Sequence, residues 1–213
     1  MKKKLLFRSC RQFGARVLLL GCAMLLCHLA GAQERLKNPG FESPLDPYDP
    51  TGLTGGKTNW TIVYVNGTQG DFAMHGRSTE ASRTSGGHGA HLRPNTEYAT
   101  HAYFTQTVTN LTAGDSYVLS GYMHKGFDNS NLSVYFEAIG GSDGATSVQS
   151  PEATTDRTQY FVTNTASPSG QIEVRLRLVK NKMTSDGPGL AKFIKSSAWF
   201  DDFSLTNAVP GRP

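Results

Sequence analysis

Residues Ile172 to Leu178 read Ile-Glu-Val-Arg-Leu-Arg-Leu. Apolar and charged residues in strict alternation suit a strand with one face in a core and the other in water; a helix repeats every 3.6 residues and would scramble that division. The pattern recurs. Tyr117, Leu119, Gly121 and Met123 oppose Val118, Ser120, Tyr122 and His124, and Leu132, Val134, Phe136 and Ala138 oppose Ser133, Tyr135 and Glu137. After Gln33 no segment carries helical periodicity, and Gly, Asn, Asp and Pro punctuate the alternating runs. The chain is therefore expected to be all-β. Strands are expected at Arg35 to Asn38, Trp60 to Val65, Gly89 to Arg93, Ala102 to Val108, Ser116 to His124, Asn131 to Ile139, Thr158 to Asn164, Gln171 to Val179 and Ala198 to Thr206. Two long connections, Ser43 to Asn59 and Asn66 to His88, separate the early strands.

Residues 1–32 have a different character. Six Lys and Arg residues precede the apolar run Val17 to Leu29, and Ala30-Gly31-Ala32 satisfies the small-x-small cleavage rule. The run is shorter than the roughly 20 residues that span a bilayer. We expect a signal peptide over 1–32, one domain over 33–206 and a polar tail over 207–213. The product is expected to be secreted, periplasmic or extracellular, with no stable membrane insertion after cleavage. A lipoprotein reading at Leu19-Leu20-Gly21-Cys22 would cut inside the apolar run.

Removing the leader reverses the charge. It holds six of the 21 Lys and Arg residues and none of the 17 Asp and Glu residues, so the balance passes from +4 to −2. The basic character belongs to the leader, and no nucleic-acid partner is expected. Cys10, Cys22 and Cys27 also lie there, which excludes disulfides, zinc-thiolate sites and cysteine nucleophiles from the remainder.

Five segments carry a family likeness: Asn38-Pro39-Gly40-Phe41-Glu42; Trp60; Gly89 to Arg93; Gln106 to Tyr122; and Trp199-Phe200-Asp201-Asp202-Phe203-Ser204-Leu205. In order and spacing they resemble the jelly-roll carbohydrate-binding modules of the cellulose- and xylan-binding type. The resemblance implies a two-sheet antiparallel β-sandwich of the galactose-binding-like kind and a polysaccharide or oligosaccharide ligand. It also implies a structural calcium held by the Gly40 carbonyl, Glu42 and Asp201, whose oxygen donors suit a hard cation. Alternation puts Asp201 on the face of Phe203 and Leu205, pointing inward, with Asp202 outward. The alternative is a set of ordinary strand-end carboxylates.

Sugar recognition needs aromatic faces and planar polar groups. With Gly89 to Arg93, Gln171 to Val179, Ser116 to His124 and Asn131 to Ile139 in one jelly-roll sheet, the outward residues form one surface. They are His91, Arg93, Tyr122, His124, Tyr135, Glu137, Glu173, Arg175 and Arg177. The alternative is a solvated sheet laced with cross-strand ion pairs. A second candidate is the loop rim with Tyr48, Asp71, Phe72 and Phe127. Trp60 and Trp199 are expected in the core.

Two motifs carry less weight. Gly140-Gly141-Ser142-Asp143-Gly144 matches a nucleophile elbow, but no His follows His124 and a hairpin loop is expected instead. His88 and His91 are spaced for a metal, yet at a strand entry they fall on opposite faces. The expected function is non-catalytic carbohydrate binding by a secreted protein. A jelly-roll polysaccharide lyase or glycosidase on the same face, or a surface adhesion protein, is the alternative.

Overall fold

The computed structural model describes residues 33–41, 59–68, 72–75, 89–94, 99–126, 132–180 and 197–208. Its strands are β1 (Thr61–Asn66), β2 (Phe72–His75), β3 (Ala90–Pro94), β4 (His101–Val108), β5 (Ser116–Lys125), β6 (Leu132–Gly140), β7 (Thr146–Gln149), β8 (Thr158–Thr165), β9 (Ile172–Lys180) and β10 (Ala198–Asn207). They form two antiparallel five-stranded sheets, in the orders β1-β4-β9-β6-β7 and β2-β3-β10-β5-β8. The chain is all-β as the alternation predicts, and its strands form the two-sheet jelly-roll sandwich that the resemblance implies.

The alternating residues close the sandwich. Ile172, Val174, Leu176 and Leu178 of β9 are buried, and so are Leu119 and Met123 of β5. Burying each such side chain stabilises the fold by about 1.5–3 kcal/mol. Edge-to-face ring pairs lock the sheets together: Phe136 meets Phe203 at 5.1 Å and Phe104 meets Phe200 at 6.3 Å. Gly121 leaves room for Phe203, since a Cβ there would lie 2.4 Å from its ring. From β8, Asn164 Nδ2 donates to the carbonyls of Ala138 (2.9 Å) and Thr146 (2.8 Å), fastening one sheet to the β6–β7 hairpin of the other.

The two ends of the folded part meet, as expected, but the first does so without being a strand. Residues 36–41 are bends and a turn, with Asn38 at φ 51° and Phe41 at φ 58°. One side of the segment bonds β10, through Arg35 N to Leu205 O and Phe203 N to Pro39 O, both 3.0 Å. The other side is held by a side chain of β4. Gln106 accepts from Lys37 N at 2.8 Å and donates to the carbonyls of Lys37 (3.0 Å) and Asn59 (2.9 Å). A carboxamide thus replaces a neighbouring strand, and no ladder forms. Phe41 stacks on Trp60 at 5.3 Å, and Trp60 is core as expected, with 2% of its surface exposed.

Three further expectations change. The connection from Asn66 to His88 contains β2, and β7 follows the Gly140–Gly144 turn as the second arm of a hairpin. Both strands have four residues, too few to display alternation. The segment Ser116 to His124 also does not share a sheet with Asn131 to Ile139. Each strand has only two edges: β5 gives its edges to β10 and β8, and β6 gives its edges to β9 and β7. Finally, Asp201 is not in phase with Phe203. The β5–β10 register shifts between Asp201 and Ser204, where Asp202 has φ 47°, so Asp201 pairs with outward Tyr122 while Phe203 turns inward.

Candidate functional site

The expected binding surface is two surfaces. Tyr135, Glu137, Glu173, Arg175 and Arg177 stand on the outer face of the first sheet, and His91, Arg93, Tyr122 and His124 on the outer face of the second. The sandwich core lies between them.

On the first face, strand register sets out a cross-strand row. Tyr103 of β4, Arg177 of β9 and Tyr135 of β6 are consecutive partners. In the next row Thr105, Arg175, Glu137 and Gln149 follow one another across β4, β9, β6 and β7. The guanidinium carbons of Arg175 and Arg177 lie 5.1 and 4.7 Å from the Tyr103 ring centroid, within cation–π range.

Both arginines are fixed by carboxylates. Arg175 binds Glu173 with two parallel bonds, Nε at 2.6 Å and Nη2 at 2.8 Å. Arg177 donates from Nε to Glu137 and from Nη1 to His101 Nε2 at 2.8 Å. Glu137 also accepts from Ser147 Oγ at 2.9 Å and lies 3.6 Å from Arg175 Nη1. Only 2% of Glu137 is exposed, so this outward residue is sealed beneath its partners. Burial raises the Glu173 pKa, but bonds from Arg175 and Thr105 outweigh it and hold the carboxyl below its ordinary value. His101 is lowered by burial and then by Arg177, which keeps the ring neutral and able to accept the arginine proton. Burial also raises the Tyr135 hydroxyl pKa. Tyr103 and His101 escaped the sequence reading, although His101, Tyr103 and Thr105 alternate visibly with Ala102, Phe104 and Gln106.

The second face is built around Trp199, which is half-buried on the outside of β10 rather than in the core. His91 from β3 stacks on it at 5.0 Å and His124 from β5 at 4.5 Å, with interplanar angles of 16° and 3°. The two neighbours flank the indole from opposite sides, because β10 runs between β3 and β5. Both broad faces of the ring are therefore taken. Burial, then the charge of Arg157, lowers the His124 pKa to about 4.

Of the residues expected to hold a metal, Asp201 is 2% exposed and its Oδ1 accepts from Asp202 N at 2.8 Å. Gly40 follows Pro39, whose carbonyl bonds Phe203 N, so the turn carrying Gly40 docks two residues from Asp201. Glu42 lies outside the described residues, and among those described no group of three His, Cys, Asp or Glu residues is placed to hold a metal. Tyr48, Asp71, His88 and Phe127 also lie outside them, while Phe72 begins β2.

No family model and no curated protein matches the chain by sequence. Solved structures do match by fold. TmCBM61, determined in complex with β-1,4-galactotriose, is 17% identical, with 83% of this chain and 100% of that one covered at a TM-score of 0.52. The enzymatically active domain of bacteriophage CBA120 tailspike protein 4 is 13% identical over 82% of this chain and 21% of that one, TM-score 0.51. The CBM22-1 xylan-binding domain of Paenibacillus barcinonensis Xyn10C is 10% identical over 79% and 90%, TM-score 0.49. The chain has the β-sandwich fold of carbohydrate-binding modules.

Proposed function

We propose that this protein binds a polysaccharide or oligosaccharide on the outer face of the first sheet and does not cleave it. One observation carries the reading: two tyrosines flank Arg177 in a single cross-strand row, and the guanidiniums that lie over the Tyr103 ring are held in place by Glu137 and Glu173. Rings stack on pyranose faces, and fixed planar donors and acceptors bond hydroxyls without losing rotamer freedom on binding. The second face suits stacking less, because its indole is already covered by imidazoles on both sides.

The same groups are poorly set for catalysis. A glycosidase needs a carboxyl that stays protonated near neutrality, and a lyase needs a base free to take a proton. Glu173 is held below the ordinary carboxylate range by Arg175 and Thr105, and Tyr135 is raised above the ordinary phenol.

Export through a signal peptide over 1–32, and a calcium ion at Gly40, Glu42 and Asp201, complete the reading. A buried carboxylate beside a docked turn is the chemistry that a hard cation stabilises. The experiment is a glycan array on the purified protein, followed by calorimetry of each hit and assays for reducing ends and unsaturated uronates. Binding without product release is expected. Release of either product would overturn the non-catalytic reading, and an array without hits would overturn the ligand class.

A further inference from the structure

The arginines of the binding face have spent their charge on each other's neighbours: Arg175 is paired with Glu173, and Arg177 with Glu137. Two other cations stand at the border of that face. Arg35 and Lys37 line a cleft of about 370 Å³ together with Thr61, Thr105, Thr107 and Asn110. None of its lining residues among those described is acidic.

The cleft is formed where β1 starts late. Thr61, the first residue of β1, pairs with Thr105, so among the described residues no strand lies on that side of β4 beyond Thr105. The N-terminal segment fills part of that space, with Leu36 buried between Arg35 and Lys37. Gln106 fixes the segment's backbone from both its N–H and its carbonyl side. Lys37 is exposed.

The Nε of Arg35 is buried and makes no hydrogen bond. Its Nη2 has only a long bond of 3.4 Å to Asn207 Oδ1. The neighbouring carboxylate does not serve it: Glu34 Oε1 accepts from the backbone N–H groups of Arg35, Leu36 and Leu205. The guanidinium therefore keeps donor capacity beyond the long Nη2 bond, and an oxyanion in the cleft would take a charge-assisted hydrogen bond from it.

We propose that this cleft is an anion-accepting subsite for a carboxylate or sulfate substituent carried on the bound glycan. The cleft adjoins the face directly, since Thr105 lines it and also donates from Oγ1 to Glu173 at 2.9 Å. Arg35 brings its Nη2, held only by the long bond to Asn207, Lys37 adds a mobile charge, and the threonine hydroxyls complete the set. The inference rests on the reading of the first face as the glycan surface.

The test separates the two. Sodium sulfate and sodium glucuronate are titrated into the protein at ionic strength held constant with sodium chloride, and the amide shifts of Lys37, Thr105 and Thr107 are followed. Saturable shifts are expected, and they should be lost in Arg35→Gln/Lys37→Gln. Lys37→Gln alone, at an exposed position, should weaken them and guards against a folding defect in the double variant. On the array, glycans with a uronate or sulfate should bind on the order of tenfold tighter than their neutral counterparts, the worth of one charge-assisted hydrogen bond. The double variant should abolish that ratio and keep neutral binding. Shifts no larger than with chloride, or equal affinity for charged and neutral glycans, would overturn the subsite while neutral binding left the face standing. Anion binding in a protein that retains no glycan would overturn the proposal as well, because the substituent must arrive on a chain.

Discussion

The guanidinium carbon of Arg177 lies 4.7 Å from the centroid of the Tyr103 ring, and the two residues are direct cross-strand partners on β9 and β4. The contact holds a long cationic side chain against the Tyr103 ring, and Tyr135 follows in the same cross-strand row, a pre-set surface for the proposed ligand. Pre-organisation of this kind limits the entropy lost on binding.

Removing either ring should therefore weaken glycan binding without unfolding the protein. Tyr103→Ala and Tyr135→Ala are each expected to lose about 1–3 kcal/mol, by analogy with base stacking on aromatic side chains. Tyr122→Ala, on the opposite sheet, should leave affinity unchanged. Calorimetry with the array's best ligand checks all three, and a loss only in Tyr122→Ala would move the site to the other face.

His124 should make the protein acid-sensitive. Its folded pKa, about 4, lies below the ordinary imidazole value of 6.5, so the unfolded chain binds the extra proton first. Its contribution to stability is complete above about pH 6.5 and is lost as the pH falls toward 4. Urea denaturation from pH 7.5 to 4 should show a shallower decline in His124→Gln than in the wild type. Parallel curves would mean that burial and the charge of Arg157 do not hold the ring neutral.

Calcium removal tests the meeting of the two ends. A chelator should lower the melting temperature, and Asp201→Ala should abolish that response and cost more stability than Asp202→Ala, because Asp201 is the buried member of the pair. An unchanged melting temperature, with no metal by elemental analysis, would remove calcium from the account.

Gly121→Ala should destabilise by about 1–3 kcal/mol, the usual range for overpacking a filled core. Its new methyl would sit 2.4 Å from the Phe203 ring. Phe203→Leu in the same chain should recover part of the loss. Thermal melts of the two variants decide it, and a Gly121→Ala protein as stable as wild type would show that the ring has room to move.

Local patterning alone determined that this chain is all-β and which residues of β5, β6 and β9 face the core. Alternation is a property of a single strand, and it survives whatever that strand pairs with. Tertiary structure decided which outward faces belong together. Tyr122 and Tyr135 look equivalent in sequence, yet β10 and β8 take both edges of β5 while β9 and β7 take both edges of β6, which puts the tyrosines on opposite sides of the molecule. The bulge at Asp202 likewise moved Asp201 out of phase with Phe203, because one extra residue in a ladder inverts every face assignment beyond it. Hydrogen-bond partnership between strands far apart in the chain leaves no periodic mark on either one. The Tyr103, Arg177 and Tyr135 row, and the cleft of Arg35 and Lys37, therefore came into view only once the sheets were assembled.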